Sequence, residues 1–85
     1  MNIPDTLVDE FEAIRKKGEQ VIEVCMSEHV FTRLNRQYSE QLPNRMQKNF
    51  YITDSFDGVD IKIIEEDEHI IIKGKNGTVK KICNT

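Results

Sequence analysis

The chain has 85 residues, of which 38% are hydrophobic and 32% charged, and its net charge at pH 7 is −3. This length suits a single domain, residues 1–85, with one small core. The acidic balance argues against nucleic acid as a partner, since non-specific binding draws on clustered lysines and arginines. No run approaches the roughly 20 apolar residues of a membrane span. We therefore expect a cytoplasmic protein with no membrane association.

The chain begins with an amphipathic segment. Its apolar residues recur at helical spacing and are Ile3, Leu7, Phe11 and Ile14. Proline suits a first helical turn and glycine a C-terminal stop, so Pro4 and Gly18 bound the pattern. The spacing predicts a first helix over 4–17, with its apolar stripe in the core.

A short β-prone run, "EQVIEVCM", follows and predicts a strand that ends at Met26. Val21, Ile22, Val24 and Cys25 give it apolar residues on both faces. A strand buried on two sides is usually central in its sheet, so we place this one in the interior.

Ser27 is a good N-cap, and the residues after it have helical periodicity. The predicted second helix extends to Pro43. Its apolar side comprises Val30, Phe31, Leu34, Tyr38 and Leu42. Its opposite, polar side includes Arg33 and Arg36. The segment "NRMQKN" is predicted to be a loop.

Four short β-prone runs complete the chain: "FYIT", "VDIKII", "HIIIK" and "TVKKI". Turn-forming clusters separate them: "DSFDG", "EEDE" and "GKNG". We predict an antiparallel meander and the order α-β-α-β-β-β-β. The fold class is α+β, with two helices packed on one face of a small, mostly antiparallel sheet.

A hairpin closed by "EEDE" places four isoleucines on one sheet face, namely Ile61, Ile63, Ile70 and Ile72. The other face is mixed, and Ile64 and Ile71 lie exposed there unless something covers them. The last hairpin has two alternatives. A turn at Asn76-Gly77 sets Lys73 opposite Lys80, whereas a turn at Lys75-Asn76 sets Ile72 opposite Val79, and a three-residue loop with a bulge would reconcile the two.

The stretch from Thr53 to His69 holds seven acids and one lysine, which raises the question of a metal site. Asp57 and Gly58 match the fifth and sixth positions of an EF-hand loop. The first and twelfth positions, which require carboxylates, hold a threonine and an isoleucine. We therefore interpret Asp57-Gly58 as a hairpin turn and 65–68 as a solvated turn, and we predict no metal.

The sequence contains no recognisable catalytic or cofactor motif. Cys25 and His29 are close along the chain, but nucleophilic catalysis also needs a third, orienting group. Two cysteines are too few for a zinc site. The run "GKNGT" has the wrong residue order for a phosphate loop. We therefore predict a non-enzymatic protein without a cofactor.

The segments "VIEVCMSEHVFTRL" and "GVDIKI" together resemble short uncharacterised proteins of phages and prophages of Gram-positive bacteria. The first helix and the "EEDE" cluster lie outside this resemblance. The resemblance implies a small accessory or host-interaction protein, and it carries no catalytic residue.

Ile64 and Ile71 motivate the leading functional hypothesis. Aliphatic side chains left on a mixed sheet face favour binding to a protein partner or to a second copy. The chain is accordingly predicted to be a protein–protein interaction module.

The alternative is a nucleic-acid-associated regulatory protein. It rests on the basic side of the second helix and the loop after it, formed by Arg33, Arg36, Arg45 and Lys48. Tyr38 and Tyr51 would supply stacking or positioning groups.

Overall fold

The computed structural model describes residues 1–43 and 51–83. Within these ranges the chain forms two helices and five strands. The helices are α1 (Ile3–Lys16) and α2 (Glu28–Glu40), and the strands are β1 (Val21–Met26), β2 (Ser55–Phe56), β3 (Val59–Ile63), β4 (His69–Gly74) and β5 (Gly77–Cys83). The predicted α+β class and order of elements are confirmed. The "NRMQKN" loop lies outside the described residues.

Side-chain caps fix where both helices begin. The Asn2 carboxamide accepts a hydrogen bond from the Asp5 amide at 3.0 Å, so α1 begins one residue earlier than predicted. Ser27 Oγ accepts from the Val30 amide at 3.1 Å, which confirms Ser27 as the N-cap of α2. The predicted end at Pro43 is wrong, because α2 ends at Glu40. Proline disfavours helical geometry in the residue before it, so its effect reaches upstream.

The sheet has the strand order β2-β3-β1-β4-β5, which confirms the central position of β1. β1 is parallel to β3 and antiparallel to β4. The predicted hairpin of β3 and β4 is therefore wrong, and the meander is interrupted by β1. The chain leaves the sheet after Met26 to form α2. The connection from β3 to β4 therefore crosses the sheet at the end of β1. The Ile64 amide donates to the Met26 carbonyl at 2.8 Å on this path.

An irregularity between Val21 and Glu23 interrupts the pairing of β1 with β4. Val21 packs against the core, while the Ile22 side chain is 46% exposed. The prediction that both faces of β1 are buried therefore fails at Ile22, because a bulge changes which residues point inward. It holds at Val24 and Cys25, which are both buried.

The predicted strand "FYIT" is wrong over its described residues. The strand forms at Ser55–Phe56, inside a segment predicted to be a turn. Ile52 is nevertheless buried, and the Asn35 carboxamide of α2 serves as its hydrogen-bonding partner. A side-chain amide thus takes the place of a neighbouring strand.

Both helices pack on the same face of the sheet, as predicted. The helical core residues are Ile3, Leu7, Phe11, Ile14, Val30 and Leu34. The core residues on the strands are Val24, Met26, Phe56, Val59, Ile70 and Ile72. Neither α1 nor α2 has the length and apolarity to cross a membrane.

The β4–β5 hairpin has the turn of the second predicted register, but its pairing farther from the turn matches neither register. Gly74 pairs with Gly77, so the turn is centred on Lys75-Asn76. A bulge then shifts the register, and Ile72 lies opposite Lys80 rather than Val79. Gly77 has φ 111°, a value that side chains disfavour.

Candidate interaction surface

The sheet face opposite the two helices, here called the open face, carries an ordered row of side chains. The register places Lys62 and Ile71 on either side of Cys25, and Lys81 beyond Ile71. The central row therefore reads Lys62, Cys25, Ile71 and Lys81 across four strands. It is a narrow apolar strip with an ammonium group at each end.

A second row on the open face has charged residues on its three central strands, β3, β1 and β4. Glu23 lies between Asp60 of β3 and Lys73 of β4. The two rows together present three lysines and two carboxylates, although the whole chain is acidic. The open face is thus more basic than the molecule as a whole, and it favours a partner with acidic and aliphatic groups.

Cys25 is only 1% exposed, although it lies on the open face. Lys62, Glu23 and Lys73 lie around it on the open face, and long side chains of this kind cover apolar surface with their stems. Burial raises the pKa of the Cys25 thiol, and the hydrogen bond from its Sγ to Glu23 Oε1, at 3.5 Å, acts in the same direction. The positive charges of Lys73 and Lys62 act in the opposite direction. The thiol is therefore protonated at neutral pH and behaves as a small hydrophobe.

Cys25 and His29 lie on different sides of the sheet. Cys25 points to the open face, while His29 is an exposed residue of α2, in the helical layer. The structure does not bring this pair together as a nucleophile and its base.

Ile71 and Ile64 do not form one continuous patch. Ile71 is half-buried in the central row, and Ile64 is half-buried just after β3. Since β1 lies between their strands, the two side chains are not neighbours across a hairpin. Ile71 is the aliphatic centre of the surface, and Ile64 lies toward its edge.

Arg33 and Arg36 belong to α2 and so lie on the opposite side of the sheet from Ile71. Arg33 is half-buried and Arg36 is exposed. The other two members of the predicted basic cluster, Arg45 and Lys48, lie outside the described residues. The predicted partner-binding residues therefore lie on two surfaces. Ile64 and Ile71 lie on the open side of the sheet, and Arg33 and Arg36 lie on the helical side.

The tyrosines expected to assist nucleic-acid binding have different environments. Tyr38 packs edge-on against the Phe56 ring, with centroids 5.7 Å apart, so its ring contributes to the core. Tyr51 is 72% exposed. One of the two expected stacking groups is thus already engaged.

The acidic stretch contains two distinct turns. Asp57 and Gly58 have φ of 54° and 78° and connect β2 to β3, as the hairpin interpretation predicts. Arg15 of α1 holds this turn, through Asp57 Oδ2 at 3.3 Å and the Asp57 carbonyl at 3.1 Å.

The second turn gathers Glu66, Glu68 and His69, whose ligand atoms lie within 4.8 Å of one another. His69 Nδ1 is 3.6 Å from Glu66 Oε1, and the Glu68 amide donates to Glu66 Oε2 at 2.9 Å. These contacts explain the cluster as a turn held by its own side chains and backbone.

A cleft of about 730 Å³ lies between the end of α1 and the β4–β5 hairpin. Its lining combines acidic side chains, lysine side chains and the backbone of two turns. Within it, Lys80 Nζ is paired with Glu10 Oε2 at 2.6 Å. This pair ties β5 to α1, which gives Lys80 a structural role.

The central row was not visible from the sequence, because its order depends on β1 lying between β3 and β4. One feature of the sequence did indicate that β1 could pair in parallel with a later strand. The long connection from β1 to β3 contains a helix, and parallel strands need such a crossover. Comparison with family models, curated proteins and solved structures finds no match for this chain.

Proposed function

We propose that this protein is a non-enzymatic protein–protein interaction module whose binding surface is the open face. The observation that carries the proposal is the central row, an aliphatic centre at Ile71 flanked by Lys62 and Lys81. No described helix packs on this face, and both lysines are exposed. An apolar centre with a charged rim is the usual anatomy of a binding surface.

The kind of partner is also part of the proposal. The resemblance of the β1–α2 and β3 segments to phage and prophage proteins supports an accessory role with a host protein as the partner. Neither described cysteine, Cys25 or exposed Cys83, forms a disulfide, which suits a reducing compartment such as the cytoplasm.

The test is a substitution at the centre of the row. Ile71→Glu places a carboxylate in the apolar strip, and desolvating it on binding costs affinity. Tagged wild-type and variant proteins are incubated with nuclease-treated bacterial lysate, and bound proteins are quantified by mass spectrometry. We expect a stoichiometric partner with the wild type and at least about a tenfold loss with Ile71→Glu, which corresponds to 1.4 kcal/mol.

The matched control is Ile63→Glu, the same change at an isoleucine that is 48% exposed and faces the helical side of the sheet. Circular dichroism establishes that both variants fold. Retention of the partner by Ile63→Glu and its loss by Ile71→Glu support the open face. Equal recovery with all three proteins, or failure of the wild type to retain any partner, contradicts the proposal.

A further inference from the structure

The outer edge of β5, from Gly77 to Ile82, is the longest strand edge that pairs with no other described strand. β5 has seven residues and ends the sheet on one side, whereas β2, at the other side, has only two. Six of the seven β5 residues are exposed. An edge strand presents backbone N–H and C=O groups that another chain can pair with.

We propose that this edge docks an extended acidic peptide segment of the partner protein, which adds a sixth strand beside β5. This inference rests on the proposed function, and it names the chemistry of the partner. Strand addition obtains affinity from main-chain hydrogen bonds and specificity from alternate side chains. The length of β5 gives such a segment room for several hydrogen bonds.

The positive charge of the β4–β5 hairpin favours an acidic peptide. From Gly74 to Cys83 the chain carries three lysines and no acid. Lys80 is engaged with Glu10, which leaves Lys81 on the open face and Lys75 in the turn. A carboxylate on the added strand would lie beside Lys81, at the end of the central row. Opposite charges on adjacent strands stabilise such a pair.

The alternation of β5 also predicts the residue next to that carboxylate. Ile82 follows Lys81 and packs against the core from the helical side of the sheet. An aliphatic residue on the added strand would extend this apolar surface. The expected segment therefore alternates acidic and aliphatic residues.

A second copy of this chain fits the same edge less well. Antiparallel pairing of β5 with its symmetry mate about the middle of the strand brings Lys80 and Lys81 of the two copies opposite or diagonal to each other. Like charges in those positions are destabilising. Lysines on an edge strand also commonly prevent self-pairing. The charge pattern thus favours an acidic partner.

The probe is a fluorescein-labelled heptapeptide of alternating glutamate and valine, matched to the seven residues of β5. Fluorescence anisotropy measures its binding to the full chain. One control replaces glutamate with lysine. Two others carry N-methyl groups on alternate residues, so that each blocks one edge of the peptide. We expect the lysine peptide to bind at least about tenfold more weakly, because its ammonium groups would lie beside Lys81. We expect a similar loss for at least one N-methylated peptide, because several main-chain hydrogen bonds of about 1 kcal/mol are lost.

Two charge reversals locate the peptide. Lys81→Glu alters the β5 edge, and Lys62→Glu makes the same change at the other end of the central row. We expect about a tenfold loss for Lys81→Glu and less than about a twofold loss for Lys62→Glu. Circular dichroism confirms that both variants are folded.

Three results of the peptide experiments overturn edge docking: no binding of the glutamate peptide, binding of both N-methylated peptides as tight as that of the unmethylated one, or equal losses for the two variants. Equal losses would indicate that the peptide binds across the open face instead of at the β5 edge, and they would not contradict the proposed function. A wild-type dimer that Lys81→Glu dissociates would identify a second copy as the occupant and would also overturn the proposal. The Ile71→Glu capture experiment reports on the proposed function independently of these results.

Discussion

Asn35 shows how one side chain can hold a segment that has no strand partner. Its Nδ2 donates to the Ile52 carbonyl at 3.0 Å, and its Oδ1 accepts from the Ile52 amide at 2.7 Å. Asn35→Ala leaves both backbone groups of a buried residue without this partner. We expect the free energy of unfolding, measured by urea titration, to fall by about 1–3 kcal/mol.

The control for Asn35 is Thr32→Ala on the same helix, because the Thr32 hydroxyl donates to the Glu28 carbonyl one turn earlier in an exposed position. Such a surface change is expected to stay within about 0.5 kcal/mol of the wild type. Equal effects of the two substitutions would show that the Asn35 bridge does not stabilise the 51–54 segment.

The two cysteines should differ in reactivity. Cys83 is exposed, whereas Cys25 is buried with a raised thiol pKa. At neutral pH we expect a thiol reagent to modify Cys83 rapidly and Cys25 only as the protein unfolds, since the thiolate is the reacting species. Quantifying modified peptides over time by mass spectrometry tests this. Equal rates at both positions would contradict the burial of Cys25.

The raised pKa of Cys25 also gives stability a dependence on pH. The folded state holds the thiol proton more tightly than the unfolded state, so this contribution is complete below the unfolded thiol pKa of about 8.5. It is lost as the pH rises through the folded pKa. The urea midpoint of the wild type should therefore fall more steeply above pH 8.5 than that of Cys25→Ala. Parallel profiles would contradict the raised pKa.

At the scale of elements, the β4–β5 hairpin depends on a close approach at Gly74. A Cβ atom there would lie 2.7 Å from the Gln20 carbonyl oxygen and 2.9 Å from Val79 Cγ2. The first of these is backbone and cannot rotate away. We expect Gly74→Ala to reduce stability by about 1–3 kcal/mol, the usual range for overpacking.

The exposed turn residue Lys75 supplies the control for Gly74. Lys75→Ala changes the same hairpin without a steric conflict, and we expect its urea midpoint to match that of the wild type within error. A Gly74→Ala protein as stable as Lys75→Ala would show that the hairpin can shift away from Gln20 at little cost.

The elements themselves were largely predictable from local patterns. The apolar stripe of α1, the Ser27 cap and the Asp57-Gly58 turn each depend on residues near one another in the chain. Their physical causes are short-ranged, namely helical periodicity, capping and backbone conformation. The same reasoning located β1, β3, β4 and β5 to within a few residues.

Two features escaped local reasoning because they depend on distant contacts. The "FYIT" run has strand propensity, but a side-chain amide from α2 pairs with Ile52 instead. The "EEDE" turn suggested a hairpin, but β1 competes for both neighbouring strands and takes the centre of the sheet. Propensity is a weak guide when tertiary partners decide the pairing.

At the scale of the whole molecule, the fold separates two surfaces. The helical layer closes the core on one side, and on the other the open face presents the exposed lysines Lys62 and Lys81 with half-buried Ile71 between them. Of the predicted site residues, Ile71 lies at the centre of this face, while Arg33 and Arg36 lie on the helical layer. The alternation of the strand pattern indicates that Ile71 points away from the helices, but only the strand order shows that lysines flank it.

The most direct test of the open face is lysine footprinting of the wild-type protein. The protein is acetylated briefly, alone and while bound to its partner from nuclease-treated lysate, and modification at each lysine is quantified by mass spectrometry. We predict protection of the open-face lysines Lys62, Lys73 and Lys81 and unchanged labelling of Lys16 and Lys17, at the end of α1. Unchanged labelling of the open-face lysines, with protection of the α1 lysines, would contradict the claim that the open face is the binding surface.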